Sequence, residues 1–191
     1  MTLSRASLSS AAVEVLSHGG PGNPDVLHVR HADHDYVVKD FSGRGPLMRR
    51  IAPWLIRREL RSYEQLQGHP AVPRLLSQLD ALAFAVEYRP GEILGPRLAA
   101  WVPPGFIAEL REAVREMHAR GVVHLDLRHR SNALADPSGH PVLIDFASAV
   151  RFRPGGLAAR ILLPLIAWID LRAIKKWELQ LEAARAASGD S

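Results

Sequence analysis

Residues 124–146 read HLDLRHRSNALADPSGHPVLIDF, and the rest of the chain is organised around them. Two short apolar runs, Ala133-Leu134 and Val142-Leu143-Ile144, flank the turn signal Asp136-Pro137-Ser138-Gly139, a pattern that predicts a β-hairpin. Asp126 and Asn132 stand just before the first strand, and Asp145 ends the second. A hairpin folded at Ser138-Gly139 therefore returns the Asp145 carboxylate toward Asp126 and Asn132. Two acids and an amide converging on one point call for a cation. Oxygen ligands of this kind suit magnesium, which keeps some of its waters and is held by one or two protein carboxylates together with substrate phosphates.

At this point the residues become familiar. His124-Leu125-Asp126-Leu127, then Asn132, then Ile144-Asp145-Phe146 resemble the catalytic loop and metal-binding motif of the protein-kinase-like superfamily. The resemblance covers about residues 12–150. It implies an α+β, two-lobed protein-kinase-like fold, with a small antiparallel-sheet N-lobe carrying one helix and a truncated, mainly helical C-lobe. The expected layout is a single kinase-like domain: N-lobe at about 10–87, C-lobe at about 91–150 and a helical tail at 151–191.

The chemistry implied by the resemblance is ATP- and magnesium-dependent transfer of a phosphoryl group to a hydroxyl. Asp126 is then the candidate base, and Asn132 and Asp145 the candidate magnesium ligands. His124 is expected to be structural, bonded to backbone near Asp145. Asn132 follows Asp126 by one residue more than the usual kinase pattern, so either the loop bulges or Ser131 stands in for the amide. The third residue of the metal motif is Ala147 rather than glycine, and Leu125 replaces the arginine common in protein kinases. No Ala-Pro-Glu signature follows Asp145. The nearest resemblance is thus to minimal atypical kinases, the RIO-type kinases and the bacterial lipopolysaccharide core kinases. The acceptor expected is a protein serine or threonine, or an envelope sugar or lipid. The rival reading is a pseudokinase, a nucleotide-binding or interaction module without turnover.

Composition bounds these readings. At 191 residues, 47% hydrophobic and 23% charged, the chain has room for one sizeable core or two small lobes. The absence of cysteine excludes disulfides, thiolate metal sites and cysteine nucleophiles. The N-terminal residues lack the apolar core of a signal peptide and no run reaches the ~20 apolar residues of a membrane span. The expected location is cytoplasmic, with peripheral contact at an anionic inner-membrane surface as a further expectation. A pI near 9.9 and clustered arginines also suit nucleic acid, but no nucleic-acid partner is expected.

The charge of +4 rests almost wholly on arginine, since Lys39, Lys175 and Lys176 are the only lysines. Lys39 is therefore informative: a compact ammonium is a point donor to phosphate oxygens. Strands are expected at 12–17, 25–30 and 35–41, with Lys39 on the third. Gly19, Gly20 and Gly22 between the first two are candidates for a phosphate-covering loop with free backbone N–H groups, or for a plain hairpin turn. His28, His31 and His34 have a spacing that suits a metal on a helix but not on a strand.

Residues 45–67 form an expected basic helix, interrupted or restarted at Pro53, in which Glu59 or its competitor Glu64 pairs with Lys39. Residues 74–88 contain two further strands. Backbone groups of Glu87, Tyr88 and Arg89 are expected, from the resemblance, to meet the adenine edge. A helix from Phe106 to Arg120 stops at Gly121. In the tail, the apolar run at 157–169 is expected to be a helix broken or started at Pro164, either capping the large lobe or lying at a membrane interface.

Overall fold

The computed structural model describes residues 3–6, 8 and 11–189. Its architecture is α+β, with a five-stranded antiparallel sheet, two small antiparallel sheets and three α-helices. The chain divides into two compact units, Met1–Glu64 with Pro73–Tyr88, and Gln65–Val72 with Arg89–Ser191.

The first unit is built on β1 (Ala12–Ser17), β2 (Asp25–His31), β3 (His34–Asp40), β4 (Leu75–Gln78) and β5 (Ala83–Glu87), in the order β1-β2-β3-β5-β4. Side chains alternate across a strand, so Tyr36 and Val38 of β3 and Ala83 and Ala85 of β5 share one face, and they pack with Val29 and Leu3. Lys39 and Phe84, paired in register, belong to the opposite face. There Phe84 meets Tyr63 of α1 (Pro46–Gln65), with ring centroids 6.2 Å apart. The β2–β3 hairpin turns through Ala32 and Asp33, both at positive φ (49° and 61°), the primed geometry that matches strand twist.

Pro53 does not interrupt α1, which runs unbroken through it. The expected break is thereby corrected. Proline forfeits the bond to the carbonyl four residues back and its ring crowds that carbonyl, and burial of Ala52, Ile56, Leu60 and Tyr63 on one side holds the helix through it.

The second unit holds β6 (Glu92–Ile93), α2 (Phe106–Ala119), β7 (Val122–Val123), β8 (Ala133–Ala135), β9 (Pro141–Leu143), β10 (Val150–Arg151) and α3 (Leu157–Gly189). The hairpin β8–β9 forms as the turn signal predicts: Asp136 Oδ1 accepts from the N–H groups of Ser138 and His140, both at 2.9 Å, and Gly139 takes φ 83°. The small strand β6 adds to its outer edge, and β7 pairs with β10. Gly121, at φ 81°, stops α2, and a Cβ there would meet the Phe152 carbonyl oxygen at 2.5 Å.

α3 overturns the expectation of a helix broken at Pro164, for it passes through that residue as a single helix of 33 residues. Ala167, Asp170, Ile174, Trp177 and Leu181 recur at alternating spacings of three and four and are buried, the stripe of a helix fixed by packing. Arg111 of α2 reaches Glu178 of α3 at 3.0 Å. Among the described residues, no helix is long and apolar enough to cross a membrane.

Candidate active-site residues

In the first unit, Lys39 Nζ donates to Glu59 Oε1 at 2.6 Å, and both residues are buried, at 8% and 4% exposure. Glu64 lies on the exposed side of α1, so Glu59 is the partner. The strand fixes one end of the pair and the helix the other. Burying two charges is costly unless they are matched, and here each supplies the other's countercharge.

Of the three glycines in the first turn, Gly19 has its backbone groups spent within the unit. Gly19 N–H is committed to Asp25 Oδ1 at 3.0 Å, its carbonyl accepts from Arg44 Nη1 at 3.0 Å, and Arg44 also bonds Asp25. That candidate amide is thus internally satisfied. A Cβ at Gly19 would lie 2.2 Å from the Pro24 carbonyl oxygen, so close backbone approach accounts for that glycine.

Of the three residues expected at an adenine edge, Glu87 and Tyr88 have their N–H groups donated already, to Arg74 O (2.9 Å) and Asp35 O (3.4 Å). The Glu87 carboxylate accepts from Arg74 N, and the Tyr88 ring stacks on His28 at 4.1 Å. Arg89 falls in the second unit, where its guanidinium reaches Pro70 O at 3.3 Å. The histidines spaced three apart do not converge on a metal. His28 bonds Asp35 and His34 bonds its own turn at Ala32 O.

In the second unit the loop after β7 gathers the remaining candidates. Asn132 is buried, and its Nδ2 donates at 3.0 Å both to the carbonyl and to Oδ2 of Asp126. The extra residue between them is taken up by a turn: His129 N donates to Asp126 O at 3.2 Å, and Asn132 N to His129 O at 3.1 Å. The loop bulges, and Asn132 rather than Ser131 meets Asp126. Ser131 instead donates its hydroxyl to Asn132 Oδ1 at 3.3 Å. Arg128 Nε and His129 Nε2 lie 3.5 and 3.6 Å from Asp126 Oδ1.

Hairpin register brings the second acid to the same end. Ile144 N donates to Asn132 O at 3.0 Å, and Asp145 follows at once. Asp145 takes a left-handed backbone, φ 64°, and its carboxylate accepts from Ala147 N at 3.4 Å, capping the short turn Phe146–Ser148. His124 Nε2 donates to Ile144 O at 3.0 Å and its ring packs on Phe146 with centroids 5.0 Å apart. Its Nδ1 is buried with no hydrogen-bond partner among the described residues.

One residue that the sequence reading missed holds this loop from below. Asp170 of α3 is fully buried, and its carboxylate accepts from His124 N (Oδ2, 2.8 Å), Leu125 N (Oδ1, 2.8 Å) and His118 Nε2 (Oδ2, 2.9 Å). Leu125 sits at φ 67°, a conformation that costs ~1 kcal/mol or more for a branched side chain, and the carboxylate offsets that cost. The available signal was a lone acid in the otherwise acid-free stretch 146–177. Buried acids are rare unless paired. Trp177 adds a second tie, Nε1 to Leu127 O at 3.0 Å.

The candidate ligands are oxygen donors only: the amide oxygen of Asn132 and the Asp126 carboxylate on this loop, and the Asp145 carboxylate at the end of the hairpin. Among the described residues there is no group of three or more His, Cys, Asp or Glu placed to hold a metal. That donor set fits a hard cation completing its shell with water and phosphate oxygens, and does not fit zinc.

No model of a protein family matches the chain. Among curated proteins it is similar to calcium-dependent protein kinase 9 of Oryza sativa subsp. japonica, 34% identical over 111 residues. The alignment covers 52% of this chain and 19% of that kinase, so the chain spans about a fifth of its relative's length. The similarity supports a kinase-like relationship.

Proposed function

We propose that the chain is an ATP- and magnesium-dependent phosphotransferase of protein-kinase-like fold, moving the γ-phosphate to a hydroxyl. The observation that carries the reading is the ordering of the Asp126 loop, whose carboxylate and carbonyl are both held by Asn132 while its backbone is held by Asp170. Phosphoryl transfer demands alignment and charge neutralisation more than covalent chemistry, and such a clamp supplies alignment.

Asp126 accepts or orients the proton of the acceptor hydroxyl. Lys39, extended by Glu59, donates to phosphate oxygens of the nucleotide. Asn132 and Asp145 would hold magnesium, which would neutralise charge on the phosphates. His124 keeps the two motifs in register through Ile144. The acceptor class follows the resemblance: a protein serine or threonine, or an envelope sugar or lipid, as in RIO-type and lipopolysaccharide core kinases. A second reading, a nucleotide-binding or interaction module without turnover, is favoured by the committed Gly19 amide.

Thermal unfolding with magnesium and ATP together, and with each alone, tests the reading without knowledge of the acceptor. Ligand bound only to the native state raises stability by about 2.7 kcal/mol at a hundredfold excess over Kd. The expected result is a rise that needs both together. No rise at millimolar nucleotide removes the proposal. A rise in wild type and in Asp126→Ala, with no transfer by wild type to any acceptor screened or to water, supports the module without turnover.

A further inference from the structure

The outer face of α1 carries a combination that the phosphotransfer reading does not use. Leu47, Ile51 and Trp54 recur at i, i+4 and i+7, and are 73%, 39% and 61% exposed. They form one stripe, turned away from the side on which Ala52, Ile56, Glu59 and Tyr63 are buried. On the same outward sector lie Arg50, Arg57 and Arg61, none of which has a hydrogen bond or ion pair from its side chain among the described residues. The Arg58 guanidinium lies over the Trp54 ring, 5.9 Å from its centroid. From Phe41 to Arg58 the sequence contains no Asp or Glu, Glu59 is buried against Lys39, and the exposed acid of the helix is Glu64 in its last turn. Leu47 and Ile51 also line a recess of about 370 Å³ with Pro21, Arg44 and Met48.

Large apolar side chains left in water and cations left without countercharge have one common remedy, an apolar medium bounded by anions. Nucleic acid would satisfy the arginines but has little to offer Leu47 and Ile51. A bilayer interface rich in anionic headgroups satisfies both, with the aliphatic stems and Trp54 entering at the acyl boundary and the guanidinium groups at phosphate level. We infer that the outer face of α1 docks the chain on an anionic lipid bilayer through Leu47, Ile51 and Trp54, with Arg50, Arg57 and Arg61 meeting the headgroup phosphates.

Flotation of the full chain with vesicles tests this, using phosphatidylcholine alone and phosphatidylcholine with about one third phosphatidylglycerol. Binding is expected to the anionic vesicles only, and to fall steeply with salt. Replacing Arg57 and Arg61 by Gln should weaken it about tenfold or more, since each cation near such a surface contributes ~1 kcal/mol. Leu47→Ala with Trp54→Ala should weaken it by a similar factor, with unfolding midpoints unchanged because these side chains are exposed. α3 also exposes apolar residues, including Ile161 and Trp168, so Ile161→Ala with Trp168→Ala is the companion variant and should retain binding. No flotation with anionic vesicles at low salt overturns the proposal. So does binding lost in the α3 variant and kept in the α1 variants. Binding to duplex nucleic acid as tight as to vesicles, and indifferent to Leu47 and Trp54, also overturns it. None of these readouts depends on phosphotransfer.

Discussion

Replacing Asp170 by asparagine removes one charge and one acceptor from the centre of the second unit while keeping its shape. The native carboxylate accepts three hydrogen bonds, two from consecutive backbone N–H groups and one from His118. One oxygen of the amide can still accept, so one backbone N–H, or that N–H and the His118 contact, is left facing an NH₂ group. A lost charge-assisted bond with a buried donor left unsatisfied costs about 1.5–3 kcal/mol. Release of Leu125 from its left-handed conformation recovers about 1 kcal/mol of this. The net expectation for Asp170→Asn is a loss of about 0.5–2 kcal/mol. Asp170→Ala, which abandons all three donors and opens a cavity, should cost about 3–5 kcal/mol. Urea denaturation gives the free energies, and amide hydrogen exchange at His124 and Leu125 localises the effect. Exchange at these two amides should accelerate beyond what the global loss explains. Unchanged stability and unchanged protection at both sites in Asp170→Asn would refute the view that this carboxylate holds the loop.

The remaining expectations concern the two charged clusters, a buried histidine and a strained turn. Asp126→Ala should abolish phosphoryl transfer while the magnesium–ATP stabilisation largely persists, whereas Asp145→Ala should reduce both; calorimetric titration beside a turnover assay separates them. Glu59→Ala leaves Lys39 buried without its counterion and should cost about 3–5 kcal/mol in denaturant melts, and Lys39→Arg should not restore activity, because a planar fork is a poor substitute for a point charge. His69 is buried, which pushes its pKa below the usual value, and the Nε2 contact to Ala113 O only partly opposes this. Its Nδ1 accepts from Ala71 N at 3.1 Å, so the folded chain prefers the neutral ring. Below the ordinary histidine pKa the unfolded chain binds the additional proton, so stability from this group is present above about pH 6.5 and is lost as pH falls through the folded value. Melts between pH 5 and 7 should therefore slope upward, and the slope should flatten in His69→Gln. Ala32→Gly relieves the positive φ at the first residue of the β2–β3 turn and should raise stability by up to ~1 kcal/mol, read as a shift in the urea midpoint.

Much of the local structure was legible because it depends on near neighbours. Alternation predicted β1, β2 and β3 to within a residue or two, the spacing of apolar residues predicted α2, and the Asp136 to Gly139 signal predicted the β8–β9 hairpin. Lys39 stood out through the scarcity of lysine, and the order of Asp126, Asn132 and Asp145 followed from the hairpin. What depends on partners distant in the chain was not legible. Pro53 and Pro164 look like helix breaks to any local rule, yet both helices continue because each buries a stripe long enough to outweigh one missing bond. The Gly19 amide was a candidate free donor, but Asp25 accepts from it and Arg44 occupies its carbonyl. Whether Glu59 or Glu64 meets Lys39 was a question of helix phase against the sheet, decided by burial. Asp170 lies 46 residues beyond the first amide it holds, and only the packing of α3 under the loop turns an isolated acid into its anchor. By itself the sequence determined which atoms are available for chemistry and in what order they occur along the chain. The tertiary structure decided which of them are already spent on one another, because a hydrogen bond or ion pair is a matter of distance in space, and each group has a fixed number of hydrogens and lone pairs to give.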